Sequence, residues 1–186
     1  MRWHYLPNLI TILRIILIVP VCYNIVQDRF LPALYFLILA GLSDGLDGYL
    51  ARRFNWQTRL GSLLDPLADK LMVISCFTAL TWVQAIPLWL FIIILLKDII
   101  VVTGAIIYHF FIASYEFSAT LLSKLNTFLQ ILFLVTVVIK MQFASIPNIL
   151  ILALMYVMLL TTLGCTLDYI WIWSKKAYTH VRKSHD

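Results

Sequence analysis

Long apolar runs separated by short polar punctuation dominate the chain. A helix that crosses a bilayer needs roughly 20 apolar residues. Six runs reach that scale, at about 8–26, 32–52, 61–83, 87–111, 121–141 and 147–173. Pro7, Pro32, Pro87 and Pro147 stand near helix starts, where the missing N–H of proline does no harm. The pattern contains no internal repeat and no second domain. It predicts an all-α fold: a polytopic integral membrane protein, with six transmembrane helices in one bundle. The single domain covers 1–186 and ends in a basic tail, 174–186. The first run carries Arg14 and is followed by no small-residue cleavage site, so it reads as a retained helix and not a signal peptide.

Composition supports the membrane reading. The chain is 62% apolar and 12% charged, against about 25% charged in an ordinary soluble domain. The net charge of +5 comes from basic residues that flank the apolar runs. That placement suits anionic lipid head groups and predicts no nucleic-acid partner. Cys22, Cys76 and Cys165 are far apart in sequence and form no CxxC or Cys/His cluster, so inert thiols are expected, with neither a zinc site nor a disulfide framework.

Lys and Arg also set an orientation. Arg2, Arg52, Arg53, Arg59, Lys175, Lys176, Arg182 and Lys183 fall on one set of connections, and Arg29 and Lys140 on the other. Six spans put both termini on the basic side. Both ends are therefore expected in the cytoplasm, together with the connection around residues 52–59.

Against this background one stretch is anomalous. Residues 44–69, "DGLDGYLARRFNWQTRLGSLLDPLAD", hold Asp44, Asp47, Asp65 and Asp69, four of the nine acidic residues. Spacings of three and four put each pair on one helix face, and a short connection makes the two helices antiparallel neighbours. Four converging carboxylates repel one another and would protonate unless compensated. A hard divalent cation resolves this, since carboxylate oxygens are the donors that Mg²⁺ or Mn²⁺ prefers. Two metals close together are a recurrent solution for chemistry on phosphate groups. Gly48 and Gly61 sit inside helices at a cost of about 1 kcal/mol relative to alanine. With Ala51 they clear the acidic faces for a close-approaching ligand, and Arg52 is placed to meet phosphate oxygens. The competing reading pairs the acids with Arg52, Arg53 and Arg59 as a salt-bridged loop. It accounts for the charge but not for the small residues among the acids. A transporter would want its polar groups in broken helices near the midplane, and is the more distant alternative.

The same stretch resembles the signature of the CDP-alcohol phosphatidyltransferases, D-x2-D-G-x2-A-R-x8-G-x3-D-x3-D. Asp44, Asp47, Gly48, Ala51, Arg52, Gly61, Asp65 and Asp69 match all eight positions. Eight fixed letters arise by chance on the order of 10⁻⁸ times at average residue usage. "LPNLITILRI" at the start and "DPLADK" after Leu64 extend the likeness. The resemblance implies a six-helix membrane enzyme, commonly a homodimer, with its site open to the cytoplasm and, in a bacterium, in the inner membrane. Its donor would be CDP-diacylglycerol, with CMP displaced by an alcohol. Asp44, Asp47, Asp65 and Asp69 would hold two Mg²⁺ or Mn²⁺ ions, and Asp69 would also be the general base. Gly48, Ala51, Arg52 and Gly61 would border the CDP moiety, with Asn8 and Thr11 beside them.

The acceptor alcohol rests on other residues. Members that use glycerol 3-phosphate usually carry an Arg-Glu pair in span four, a further Arg about eight residues on, and "GKxKT" opening span five. This chain has Lys97-Asp98, then Ile106, and "SKLNT" over residues 123–127. That pattern resembles the cardiolipin synthases of the family, whose acceptor is phosphatidylglycerol. Lys97, Asp98, Lys124, Asn126 and Arg14 are accordingly the expected acceptor-binding residues. Phosphatidylglycerophosphate synthesis from glycerol 3-phosphate is the alternative. Lys97, Asp98 and Lys124 have a structural reading as well, as ion pairs that hold helices together. Asp168, nearly alone in the sixth run, is left unassigned.

Overall fold

Proline and turn chemistry divide the chain into six helices: α1 (Leu6–Val26), α2 (Phe30–Phe54), α3 (Arg59–Trp82), α4 (Leu88–Phe111), α5 (Leu121–Phe143) and α6 (Asn148–Lys183). They come from a computed structural model that describes residues 6–54, 59–111, 121–143 and 145–183. Side chains are described except at 6–8, 47–52, 54–66, 105–111 and 173–183. The all-α expectation holds, and the starts of the six elements lie within two residues of those read from the sequence. Pro7 and Pro32 fall in first turns, and Pro87 and Pro147 immediately precede α4 and α6. The end of α6 differs from expectation. It runs to Lys183, through most of the basic tail, because no Gly or Pro interrupts 174–183 and Lys and Arg suit a helix C-terminus.

The polarity is inverted relative to a soluble protein. Arg14, Lys97, Asp98, Asn126 and Gln130 are buried, while Leu9, Ile16, Val19, Leu121 and Ile149 are among the large apolar side chains left exposed. Among the described residues, Leu9–Val26, Leu121–Phe143 and Asn148–Ile172 are long and apolar enough to cross a membrane, and Phe30–Leu46 is a shorter apolar helix. In lipid the backbone must satisfy itself, which helices do. Helical hydroxyls are satisfied locally too: Ser43, Thr78, Thr81, Thr127 and Thr166 each donate to the carbonyl four residues earlier.

Two compact units divide the chain, one formed by Met1–Pro87 with Leu134–Pro147, the other by Leu88–Phe133 with Asn148–Asp186. In the first unit α1 packs on both α2 and α3. Its buried stripe is Thr11, Arg14, Leu17, Val21 and Ile25, recurring every three or four residues. α3 answers with Ala68, Met72, Cys76, Phe77 and Leu80. Cys22 and Cys76 come within hydrogen-bonding reach of each other, although distant in sequence, and both are free thiols. The separation expected from sequence is thus closed by the α1–α3 packing. Both helices end in the same way. The N–H of Arg29 bonds to the Asn24 carbonyl at 2.8 Å and that of Asp28 to Ile25 at 3.0 Å. At the end of α3, Ala85 bonds to Leu80 at 2.9 Å and Gln84 to Thr81 at 3.0 Å. These are Schellman caps, with Asp28 (φ 56°) and Gln84 (φ 58°) at the left-handed position that glycine usually holds.

In the second unit α4 packs on α6. The Oδ1 atom of Asn126 on α5 receives hydroxyls from α6, and Leu122 lies 3.7 Å from where a Cβ on Gly164 would stand. Between lipid-embedded helices there is little hydrophobic drive, so such polar links and close small-residue contacts carry the association.

Candidate active site

Arg14 organises the acidic end of the first unit. It lies on the buried stripe of α1, one turn before Leu17, and only 2% of its side chain is exposed. A buried guanidinium is costly unless paired and hydrogen-bonded. Two aspartates supply the pairing: Nη2 lies 2.7 Å from Oδ1 of Asp44 on α2, and Nη1 lies 2.6 Å from Oδ1 of Asp69 on α3. One cation therefore ties together one acid from each pair of the motif. Both carboxylates remain about half exposed, at 51% and 44%, so each is held on one side and accessible on another.

Asp44 and Asp69, two of the four acids expected to converge, thus meet at Arg14. Asp47, Gly48, Ala51 and Arg52 lie on α2 and Gly61 and Asp65 on α3, with side chains outside the described residues. Asn8 is on α1 with its side chain likewise outside them, and Thr11 is fully buried one turn before Arg14. The partner of Asp44 and Asp69 is a residue of the first helix, expected from sequence to serve the acceptor. Arg53, a candidate partner in the salt-bridged-loop reading, is exposed.

The donor set fits a hard divalent cation. Two carboxylate oxygens from different helices already converge on one positive charge at hydrogen-bonding distance. Asp47 and Asp65 are one turn from them on the same helices. Among the described residues no group of three acidic, His or Cys side chains is assembled, and two of the four aspartates lie outside those residues.

The other predicted acceptor residues fall in the second unit. Lys97 Nζ lies 3.0 Å from Asp98 Oδ1, both nearly buried; the pair forms between neighbours on α4 and so is not itself a link between helices. Asn126 is fully buried and its Oδ1 accepts from Thr162 on α6, whereas Lys124 is exposed. Cys165 on α6 adjoins Ser123 on α5, within reach of the charges of Lys97, Asp98 and the half-buried Asp168. Sequence reasoning missed Gln130, Thr161 and Thr162. The available signal was spacing: Gln130 is one turn from Asn126 on α5.

A family model described as "CDP-alcohol phosphatidyltransferase" matches residues 4–173. A Drosophila melanogaster protein named "Probable cardiolipin synthase (CMP-forming)" is 34% identical over 142 residues, covering 68% of this chain and 44% of that protein. A Streptomyces coelicolor "Cardiolipin synthase (CMP-forming)" is 46% identical over 79 residues, covering 41% of this chain and 37% of its own length. A Bacillus subtilis protein named "CDP-diacylglycerol--glycerol-3-phosphate 3-phosphatidyltransferase" is 32% identical over 151 residues, covering 68% of this chain and 72% of that protein. The chain thus spans less than half the length of the two proteins named as cardiolipin synthases.

Proposed function

The chain belongs to the CDP-alcohol phosphatidyltransferase family, and from that premise we propose that it transfers a phosphatidyl group from CDP-diacylglycerol to phosphatidylglycerol. The products are cardiolipin and CMP, and the role is phospholipid biosynthesis. The observation that carries the reading is the meeting of Asp44 and Asp69 at Arg14, within a motif intact at all eight positions. The relatives named as cardiolipin synthases and the Lys97-Asp98 and "SKLNT" segments favour the lipid acceptor.

Asp44, Asp47, Asp65 and Asp69 are the residues to hold Mg²⁺ or Mn²⁺. When bound, the metal supplies neutralisation of the pyrophosphate and of departing CMP. Asp69 takes the proton of the acceptor hydroxyl as its oxygen bonds to the phosphatidyl phosphorus, and the bond from that phosphorus to the CMP oxygen breaks. Arg14 fixes the carboxylate of Asp69 in place. Gly48, Ala51, Arg52 and Gly61 border the nucleotide, with Asn8 and Thr11 beside it.

We read the chain as a single catalytic domain of six spans, with the acid-bearing connection and both ends cytoplasmic. The family match running across both units, the six helices and the Lys/Arg distribution support this. A homodimer follows from the family likeness alone.

Transfer to glycerol 3-phosphate is a second reading, favoured by the Bacillus relative that this chain covers over 72% of its length. One experiment separates the two. Purified protein receives CDP-diacylglycerol with both acceptors together, and the lipid products are identified by mass spectrometry. Cardiolipin supports the first reading, and phosphatidylglycerophosphate alone replaces it with the second.

A further inference from the structure

The second unit contains buried polar groups that neither the acidic motif nor the Lys97–Asp98 pair explains. Asn126 and Gln130, four residues apart, share one face of α5, and they are 0% and 2% exposed. The hydroxyls of Thr161 and Thr162 lie 3.2 and 2.8 Å from Oδ1 of Asn126. Both also lie near the Met158 carbonyl, at 2.9 and 2.8 Å. Each hydroxyl has one proton. Thr161 is nearer the carbonyl, whereas Thr162 is equidistant from the two acceptors and is the hydroxyl better placed to serve the amide oxygen. The oxygen of Asn126 is then accounted for, and its nitrogen is not. Among the described residues, neither Nδ2 of Asn126 nor Nε2 of Gln130 meets an acceptor.

An amide nitrogen without an acceptor is costly when buried, and no bulk water can stand in for one inside a bilayer. Two of them one turn apart present several N–H donors to a partner rich in oxygen. The charge of the surroundings narrows that partner. Lys97 is offset by Asp98 at 3.0 Å, Asp168 on α6 is half-buried, and Lys124 on α5 is exposed, so among the described residues of this unit no buried cation is left uncompensated to meet a phosphate dianion. A dianion there would be buried without compensation, whereas hydroxyl groups need only donors and acceptors.

We propose that Asn126 and Gln130 form a subsite for the glycerol hydroxyls of a lipid head group, and that it discriminates against phosphomonoesters. The inference deepens the phosphatidyltransferase reading and adds Gln130 as a residue that selects the acceptor.

The first test needs no turnover. The full chain in detergent is offered phosphatidylglycerol and phosphatidic acid with identical acyl chains, and retained lipid is counted by native mass spectrometry. The wild type should retain phosphatidylglycerol over phosphatidic acid by about tenfold, the worth of one or two hydrogen bonds. Gln130→Met, which keeps the length but removes the donors, should abolish the preference, and Gln130→Glu should do the same. The thermal midpoint of Gln130→Met should be unchanged or raised, because an unmet amide has been removed. Equal retention of the two lipids by the wild type, or an unaltered preference in Gln130→Met, overturns the proposal.

Kinetics separate this from the reading on which it rests. In Gln130→Met, KM for phosphatidylglycerol should rise about tenfold while KM for CDP-diacylglycerol does not move. A rise in both constants together indicates a structural role and overturns the proposal. A wild type that binds phosphatidylglycerol selectively but releases no CMP keeps the subsite and removes the transferase reading.

Discussion

The two units hold polar groups of opposite kinds. In the first, a buried arginine meets two half-exposed carboxylates, with the neutral hydroxyl of Thr11 buried one turn away. In the second, Lys97 is cancelled by its neighbour Asp98, and the groups left over are the neutral amides of Asn126 and Gln130. A charged cluster with accessible oxygens suits cations and phosphates. A near-neutral interior with unmet donors suits hydroxyls.

Asp69→Asn should break the charged side most severely. A positioned general base contributes about 10²–10⁴-fold, so turnover should fall by that much while CDP-diacylglycerol binding, followed by equilibrium titration, largely survives. Near-normal turnover would remove Asp69 as the base.

Arg14→Met should act mainly on stability. Removing one partner of a buried pair costs 3–5 kcal/mol when the other stays buried. Here both carboxylates can recover water, so a loss of about 1–3 kcal/mol is expected. Thermal unfolding in detergent should show the loss to be larger with chelator than with Mg²⁺ or Mn²⁺, because a cation bound by the acids replaces the missing charge. Arg14→Lys should recover part of it. An equal loss under both conditions would separate Arg14 from the cation-binding role of the acids.

Two smaller effects test the frame of the first unit. A membrane-permeant thiol oxidant should link Cys22 to Cys76 within one chain, as peptide mapping would show. Failure of that link to form, with both thiols still reactive to a small alkylating reagent, would contradict the α1–α3 packing. Gln84→Gly should stabilise the end of α3 by about 0.5–1 kcal/mol, since glycine adopts the left-handed cap without strain. A lowered midpoint would show that the Gln84 side chain outweighs its backbone cost.

Much of this was legible in the sequence because bilayer length and proline punctuation constrain it tightly. The six helix starts follow from apolar runs bounded by Pro7, Pro32, Pro87 and Pro147. The extension of α6 to Lys183 was missed because a count of apolar residues stops at Trp173, although nothing in the charged tail breaks a helix. The acidic motif announced Asp44 and Asp69, but not that Arg14 would join them. That pairing depends on α1 packing beside both α2 and α3, which no local pattern encodes. Gln130, Thr161 and Thr162 were invisible singly, since an isolated polar residue in an apolar run has no fixed meaning. Only their proximity across α5 and α6 gives them one. Cys22 and Cys76 illustrate the same limit, separated in sequence and brought together by packing.

The most direct test of the account is acceptor-dependent CMP release from CDP-diacylglycerol by the purified chain in lipid micelles, with Mg²⁺ or Mn²⁺ and then with chelator. The account predicts one CMP per cardiolipin formed, release only when phosphatidylglycerol is present, and loss of both products on chelation. Absence of CMP release under every metal and acceptor condition, from protein that still binds lipid, would contradict it.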